Sequence, residues 1–330
     1  MTTIREVAET AGVSYATVSH VINNTRLVSQ ETRQRVLAAM DALNYRPNAL
    51  ARSLRQGKTN TIGLVLPDSA NPFFAEISRS IEDETFKKGY SVFLCNTELD
   101  TQRELFYVDV LSKKQVDGII FVAAGDKADS LDFLLERRMP VVMVDRDLPD
   151  VEADVVLTDH QLGGYLATRH LLELGHTRIA CIAGPSSITP GAERMIGYRR
   201  ALEEAAISYE EKLVIPGDYH PQSGLEITHS ILKMDPRPTA IFALNDLMAL
   251  GALRAAAEAG CSVPKDLAIV GYDDLDLSHF TNPPLTTIAQ PKKEIGVQAV
   301  NLLVDRMSQK NRPPSRVVLP PELIVRRSTQ

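Results

Sequence analysis

The sequence predicts an α/β protein in which a small, basic, all-helical domain precedes a large body of alternating strands and helices. From Thr61 onward, short aliphatic runs alternate with segments of helical periodicity, and this alternation occurs in two series. Charge divides the chain at the same place. Residues 1–60 carry eight basic and four acidic side chains, a net charge of +4, whereas the whole chain has −6 and the remainder therefore −10. A basic head on an acidic body indicates that only the head meets a polyanion.

Three short helices are predicted in residues 1–46, each started by a polar cap. Thr3, with Glu6 three residues later, forms a capping box for a helix over Ile4–Ala11, and Gly12 then permits a left-handed turn. The remaining helices are Tyr15–Ile22, capped by Ser14, and a third that is capped by Ser29 and carries Val36, Met40 and Leu43. Helices this short are expected to share one small core.

The first two helices have the residue spacing of a helix-turn-helix, which is given by Val7, Ala8, Gly12, Val13, Val18 and Val21. The second helix is expected to expose donors, acceptors and a methyl group, on Tyr15, Ala16, Thr17, Ser19 and His20. Such groups at a helix N-terminus are suited to base edges in the major groove of DNA. For His20 the alternative is a solvated surface histidine.

Residues 47–60 are predicted to be a basic segment with a weak helical signal. Pro47 disfavours helix at the preceding residue, Asn48 is a good N-cap, and Gly57 ends a helix begun at Ala49. A helix of about nine residues is marginal in water, because its nucleation is costly. The segment therefore needs a partner in order to fold, and a plain linker is the alternative.

Polar and aromatic side chains follow the strands of the body, at the edge where open α/β sheets bind ligands. They combine carboxylates, amides and guanidinium groups with aromatic rings, a set that satisfies sugar hydroxyls and covers the apolar faces of a sugar ring. The residues are Asn71, Phe73, Phe74, Asp145, Arg146, Arg194 at the opening of a helix, Asn245, Asp246, Asp273, Asp274 and Gln290. The alternative is that each Asn or Asp is a helix cap or turn former, and that the phenylalanines belong to the core.

The sequence also argues against several classes of function. Cys95, Cys181 and Cys261 are far apart and indicate neither a disulfide framework nor a zinc site, so a reducing cytoplasm fits best. No stretch approaches the roughly 20 apolar residues of a membrane span. The sequence contains neither the phosphate-binding motif GxxxxGK[ST] nor the dinucleotide-binding motif GxGxxG. It also lacks the patterns HExxH, CxxC and GxSxG. We expect no cofactor, no metal and no catalytic residue. The alternative is a sugar-phosphate or nucleotide enzyme in which Asp273, Asp274 and Asp276 hold a metal.

The run IREVAETAGVSYATVSHVINN and its continuation to TIGLVLP resemble the start of a LacI/GalR-family transcriptional regulator, and the likeness extends through the whole chain. The resemblance implies a ligand-responsive repressor that binds a near-palindromic operator as a homodimer. It assigns base reading to Tyr15, Ala16 and His20, phosphate contacts to Thr17, Ser19 and Asn23, and a base or phosphate contact to Arg26. It identifies residues 47–60 as a hinge helix that folds on operator DNA. There Leu54 enters the minor groove, with Asn48, Ala51 and Arg55 as further contacts.

The body resembles the sugar-binding lobes of this family and of ribose-type periplasmic binding proteins. That comparison places Asn71, Phe73, Phe74, Asp145, Arg146, Arg194, Tyr219, Asn245, Asp273 and Gln290 at pentose-contacting positions. Tyr219 stands where a phenylalanine is common, and residues 122–125 lack an asparagine that some ribose binders carry. A ribose-like sugar is favoured. Purine-responsive and phosphoprotein-responsive relatives use the same frame, so a nucleobase or a phosphoprotein signal stays an alternative.

The resemblance further implies two lobes that are not contiguous in sequence. The first comprises residues 61–161 and 291–321, and the second residues 162–290 and 322–330. Three crossings between the lobes form a hinge, through which a ligand bound between them changes their relative angle. Because the chain ends soon after its last predicted strand, without a heptad segment, we expect a dimer.

Overall fold

A computed structural model of the chain describes residues 2–24, 26–46, 58–123, 129–148, 151–185, 189–309 and 311–330. The chain divides into two compact units, Met1–Thr59 and Asn60–Gln330, referred to below as the head and the body. The predicted hinge contacts Asn48, Ala51, Leu54 and Arg55 lie outside the described residues. Within the described ranges, no helix has the length and apolar character needed to cross a membrane.

The head contains the helices α1 (Ile4–Ala11), α2 (Tyr15–Asn23) and α3 (Gln30–Ala42). The predicted capping box starts α1, because Glu6 N donates to Thr3 Oγ1 at 3.4 Å and Thr3 N donates to Glu6 Oε2 at 2.8 Å. Gly12 follows α1 with a φ of 63°, a left-handed conformation that glycine adopts without steric cost. The small core of the head is formed by Val7, Ala8, Ala11, Val18, Val21, Val36 and Ala39.

The first sheet of the body is entirely parallel. Its strands are β1 (Thr61–Leu66), β2 (Ser91–Asn96), β3 (Gly118–Phe121), β4 (Val141–Val144), β5 (Asp154–Thr158) and, from near the C-terminus, β11 (Arg316–Leu319). They lie in the order β11-β5-β4-β3-β1-β2. The helices that pack on this sheet are α4 (Pro72–Lys87), α5 (Thr101–Lys113), α6 (Asp129–Glu136) and α11 (Lys292–Ser308).

The second sheet repeats this arrangement. Its strands are β6 (Ile179–Ala183), β7 (Val214–Pro216), β8 (Ala240–Ala243), β9 (Ala268–Asp273), β10 (Thr286–Ala289) and β12 (Glu322–Ile324). The order is β12-β10-β9-β8-β6-β7, with only β12 antiparallel among the described strands. The helices of this part are α7 (His160–Glu173), α8 (Thr189–Glu204), α9 (Pro221–Ile231) and α10 (Asp246–Glu258). Two single 3-10 turns occupy Glu211–Leu213 and Asp276–His279.

We call the two halves of the body, each built around one sheet, the first and the second lobe. The chain leaves the first sheet after β5, returns to it through α11, and passes again from β11 to β12. The inner strands β3 and β4 are wholly buried and apolar, as expected for parallel strands covered on both faces. The predicted fold class, a helix-turn-helix head followed by a two-sheet α/β body, is confirmed.

Candidate functional site

The carboxyl ends of strands from both sheets meet at a cavity of about 50 Å³ between the lobes. Nine of the ten residues predicted to contact a ligand line this cavity, namely Asn71, Phe73, Phe74, Asp145, Arg146, Arg194, Tyr219, Asn245 and Asp273. The tenth, Gln290, is not among the lining residues. Its Nε2 donates to Asp273 Oδ1 at 2.8 Å, and its Oε1 accepts from Thr158 Oγ1 at 2.7 Å. Gln290 therefore connects Asp273 of the second lobe to the end of β5 in the first.

Two of the lining residues are also helix caps. Asn71 Oδ1 accepts from Phe73 N at 3.0 Å at the start of α4. Asn245 Oδ1 accepts from Met248 N at 2.9 Å at the start of α10, while its Nδ2 donates to Tyr219 O at 3.0 Å. The capping alternative is thus correct for both residues, although capping does not remove either side chain from the cavity wall.

Phe73 and Phe74 supply the aromatic wall of the cavity. Their rings meet edge to face, with centroids 5.1 Å apart and an interplanar angle of 65°. Both rings also belong to the buried core of the first lobe, so the core alternative and the cavity assignment hold together. Packing on the core side fixes the orientation that the rings present to the cavity.

Arg194 is the central cation of the second lobe. The prediction that it opens a helix is wrong, because α8 starts at Thr189 and Arg194 lies in its second turn. Its guanidinium carbon stands 3.7 Å from the centre of the Tyr272 ring, NH1 donates to Leu244 O, and NH2 is 3.7 Å from Asp273 Oδ1. A cation buried to this extent is retained because several partners hold it.

Burial dominates the acid–base behaviour of the two cavity carboxylates. It raises the pKa of Asp273 to about 7, although the charge of Arg194 acts in the opposite direction. Burial also raises the pKa of Asp145, against the lowering effect of Arg194 and Arg146. Arg146 itself donates through NH1 to Ala123 O. The cavity wall therefore contains two carboxyl groups and two guanidinium groups, all of them buried.

Several buried polar atoms at the cavity have no hydrogen-bond partner among the described residues. They are Arg146 Nε and Tyr219 Oη on lining residues, together with Asp145 Oδ1 and His160 Nε2, which face each other at 3.7 Å, beyond hydrogen-bond distance. Leaving such a group unpaired away from water typically costs about 1–3 kcal/mol. The arrangement thus offers an acceptor, a donor and a hydroxyl to a polar molecule that enters between the lobes.

The sequence-based site omitted His160 and Tyr272, which lie behind the lining residues. His160 Nδ1 is 3.2 Å from Tyr272 Oη and accepts from Arg194 Nε at 3.4 Å, while its Nε2 is 3.7 Å from Asp145 Oδ1. Burial and the charge of Arg194 keep the pKa of His160 well below its usual value, so the ring is neutral. His160 stands two residues after β5 and could have been found by the same strand-end argument; Tyr272 lies inside a strand and gives no such signal.

The α2 surface of the head differs from the prediction at one residue. Tyr15 is 53% exposed, and the other exposed or partly exposed members of the predicted reading surface are Ala16, Thr17 and His20. Ser19 was expected to be exposed but is only 7% exposed, because it faces the packed side of α2, where Asn23 Nδ2 donates to Ser19 O at 2.7 Å. Asn23 is partly buried and Arg26 is exposed.

Comparison with known proteins finds a matching family model for each part of the chain and relatives that span both parts. The family model described as bacterial regulatory proteins, lacI family, matches residues 3–48, and the one described as periplasmic binding protein-like domain matches residues 168–329. The HTH-type transcriptional repressor PurR of Haemophilus influenzae (strain PittEE) is 44% identical over 335 residues, covering 100% of this chain and 99% of the relative.

Two solved structures show similarity over the body or over nearly the full length. The Lac repressor dimer bound to operator and the anti-inducer ONPF has a TM-score of 0.91 and 32% identity, covering 99% of each chain. A LacI family transcriptional regulator from Enterococcus faecium with bound ribose has a TM-score of 0.75 and 35% identity, covering 82% of this chain and 98% of that one.

The helix-turn-helix head and the polar cavity between two lobes define a ligand-responsive transcriptional regulator. The chain belongs to the LacI family, as its sequence resemblance predicted. The relatives named above are regulators and repressors, so the prediction that the chain is not an enzyme is also confirmed.

Proposed function

We propose that the chain is a cytoplasmic repressor that binds a near-palindromic operator as a homodimer and is controlled by ribose or a closely similar pentose. The observation that carries the proposed ligand is the set of buried polar atoms without partners among the described residues, Asp145 Oδ1, Arg146 Nε and Tyr219 Oη. A ligand that supplies both donors and acceptors would pair all three at once. Binding would remove the free-energy cost of leaving these atoms unpaired, and this relief would contribute to the affinity for the ligand.

A pentose has the chemistry that these atoms require. Each sugar hydroxyl donates one hydrogen bond and accepts others, so it can donate to the carboxylates of Asp145 and Asp273 and accept from the guanidinium groups of Arg146 and Arg194. The apolar face of the sugar ring would pack on the phenylalanine pair. The ribose bound to the Enterococcus faecium regulator, at 35% identity, supports this choice.

A purine base is the second candidate. The relatives named PurR, at 44% identity over the full chain, support it, because purine-responsive members of the family use the same frame. The edge-to-face rings of Phe73 and Phe74 would stack on a flat base. Adenine and hypoxanthine, however, present fewer N–H donors than a pentose has hydroxyl donors, so either base would leave more of the two buried carboxyl groups unpaired.

The proposed DNA contacts lie on α2, just beyond its end, and in the hinge segment. Tyr15, Ala16 and His20 would read base edges in the major groove. Thr17 and Asn23 would contact phosphates, and Arg26 would contact a base or a phosphate. Ser19 would reach DNA only after a rearrangement of its packed side, so we omit it from the proposed surface. Insertion of Leu54 into the minor groove stays a prediction.

An apolar surface on the first lobe supports dimerisation. The edge strand β2 and the neighbouring helices expose Phe86 (81%), Phe93 (44%), Leu94 (49%) and Phe106 (62%). Phe86 and Leu94 line an open groove of about 810 Å³ along α4 and β2. Exposed edge strands and apolar patches of this kind are ordinarily covered in the working state of a protein. We propose that a second copy covers this one, since the Lac repressor relative is a dimer.

The proposed ligand is tested by calorimetric titration of the full-length protein with D-ribose, adenine and hypoxanthine, with D-glucose as a control. We expect saturable binding of D-ribose and no binding of D-glucose. D-ribose should be recovered unchanged after the titration. Binding of a purine base in the absence of D-ribose binding would replace the first candidate by the second.

A further inference from the structure

Lys292 joins the two lobes and contacts Asp273 of the cavity wall, although it is not one of the residues that line the cavity. It is the first residue of α11, and its side chain is only 11% exposed. Its Nζ lies 2.9 Å from Glu76 Oε2 on α4 of the first lobe. The same Nζ donates to Asp273 O at 3.0 Å and to Asp274 O at 2.6 Å, at the end of β9 in the second lobe. All three donors of the ammonium group are therefore used.

The backbone that Lys292 holds has an unusual conformation. Asp273 has a φ of 113° and Asp274 a φ of 49°, values in the left-handed region that residues other than glycine rarely adopt. Such a conformation persists only where surrounding contacts over-determine it. One contact is the cap that Lys292 places on both carbonyl groups. Another is the carboxylate of Asp246, whose Oδ2 accepts from Leu275 N at 2.8 Å on the other side of the turn.

The charge of Lys292 also acts on the side chain of Asp273. The charged groups that face this carboxyl from other elements are Arg194 on α8, Asp246 on α10 and Lys292 on α11. Lys292 and Arg194 lower the pKa of Asp273, whereas burial, the dominant effect, and Asp246 raise it. Removing the ammonium group would therefore loosen the turn and favour the protonated form of a cavity carboxyl.

We propose that Lys292 is a positioning residue that connects the first lobe to the ligand-contacting turn at Asp273. We call its contacts with Glu76 and with the carbonyl groups of Asp273 and Asp274 the clasp. Through this clasp, the affinity for ligand depends on a lobe-spanning contact made outside the cavity. The inference rests on the proposed function for the role of Asp273 but not for the identity of the ligand. Glu76 belongs to the clasp, because it anchors the ammonium group to α4. It would follow that Glu76 affects ligand binding only through Lys292.

The test uses the full-length protein with the substitutions Lys292→Met, Glu76→Gln, both together, Lys292→Arg, and the matched control Lys293→Met. Lys293 is the adjacent, exposed lysine of the same helix. D-ribose affinity is measured by calorimetry across a range of pH. We expect Lys292→Met to weaken binding about tenfold or more, which corresponds to the loss of charge-assisted hydrogen bonds. Glu76→Gln should weaken binding less and should add nothing to Lys292→Met.

The pH profile separates positioning from general destabilisation. In Lys292→Met the pH below which affinity is lost should move upward, because Asp273 has lost a nearby cation. Lys292→Arg should restore the wild-type midpoint, and Lys293→Met should leave affinity and midpoint unchanged. An unshifted midpoint in Lys292→Met, or additive effects of Lys292→Met and Glu76→Gln, would overturn the inference.

Hydrogen exchange of residues 274–280 without ligand provides a readout that does not depend on D-ribose. We expect exchange at Leu275 and Ser278 to be faster in Lys292→Met than in the wild type and in Lys293→Met. A wild-type protein that ignores D-ribose overturns the proposed ligand and leaves the clasp to be judged by this exchange. Equal exchange in Lys292→Met and Lys293→Met overturns the clasp itself.

Discussion

The guanidinium carbon of Arg194 lies 3.7 Å from the centre of the Tyr272 ring, so a buried cation is stacked on a buried aromatic face at the cavity wall. Gly163 makes room for this ring, since a β-carbon there would stand 2.2 Å from Tyr272 Oη. His160 contacts both members of the stack through Nδ1. Arg194, which lines the cavity, is thus held in position by Tyr272 and His160, which do not line it.

Arg194→Lys is the first prediction that follows. Lysine keeps the charge but loses the planar group that stacks on Tyr272 and donates to several partners. We expect D-ribose affinity to fall by about 2 kcal/mol or more in calorimetry. The matched control is Arg199→Lys, an exposed arginine on the same helix that stacks on Tyr209 at 4.4 Å. If the two substitutions had equal effects on ligand affinity, the assignment of Arg194 to the site would be wrong.

Tyr219→Phe is expected to separate ligand binding from stability. Tyr219 Oη is buried without a hydrogen-bond partner among the described residues, so its removal should not lower the free energy of unfolding and should raise it by up to about 1–3 kcal/mol in the absence of ligand. D-ribose affinity should nevertheless fall about three- to tenfold. Tyr198→Phe is the converse control, because Tyr198 Oη donates to Ile179 O at 2.9 Å inside the second lobe. It should lose about 1 kcal/mol of stability with unchanged affinity, as thermal denaturation would show.

Ligand affinity should depend on pH through Asp273, whose pKa is raised to about 7. The carboxylate accepts the proposed sugar hydroxyls, so affinity should fall as the pH drops through about 7. Asp273→Asn should bind weakly and remove most of this dependence, leaving the part due to Asp145, whose pKa is also raised by burial.

Stability should follow the opposite trend. The folded state binds the proton of Asp273 more tightly than the unfolded chain does. The contribution of Asp273 to the free energy of unfolding should therefore decrease as the pH rises from about 4 towards the raised pKa.

The affinity prediction has its own contradicting result. Ligand affinity that stays constant from about pH 6 to about pH 8 would contradict the role given to Asp273.

The head offers a matched pair of neighbouring residues. His20→Ala should relax base preference at one operator position by about 1–3 kcal/mol, since its side chain is partly exposed on α2. Ser19→Ala, next to it but buried, should leave base preference unchanged. Binding-site selection from a random DNA library measures both. A uniform loss of affinity across all sequences for His20→Ala would make it a phosphate contact instead of a base contact.

Most of the cavity is predictable from the sequence because parallel strands place their carboxyl ends at one edge of a sheet. The alternation of strands and helices is therefore enough to bring together residues that follow different strands, such as Asp145 and Asp273. The same reasoning missed Tyr272, which lies within a strand, since its role depends on packing across the lobe. It erred at Ser19 because the packed face of a short helix is wider than the spacing of its aliphatic residues indicates. The sequence placed the start of α8 at Arg194, whereas the helix begins more than one turn earlier, at Thr189.

The central claim is tested most directly by operator binding in the presence of D-ribose. Full-length wild type and Asp273→Asn are compared on a near-palindromic DNA fragment selected by the wild type, using fluorescence anisotropy. Both proteins should bind this DNA equally without D-ribose. Added D-ribose should change the affinity of the wild type about fivefold or more and leave that of Asp273→Asn unchanged. An unchanged wild type, or an Asp273→Asn variant that responds like the wild type, would contradict the claim that a pentose in this cavity controls DNA binding.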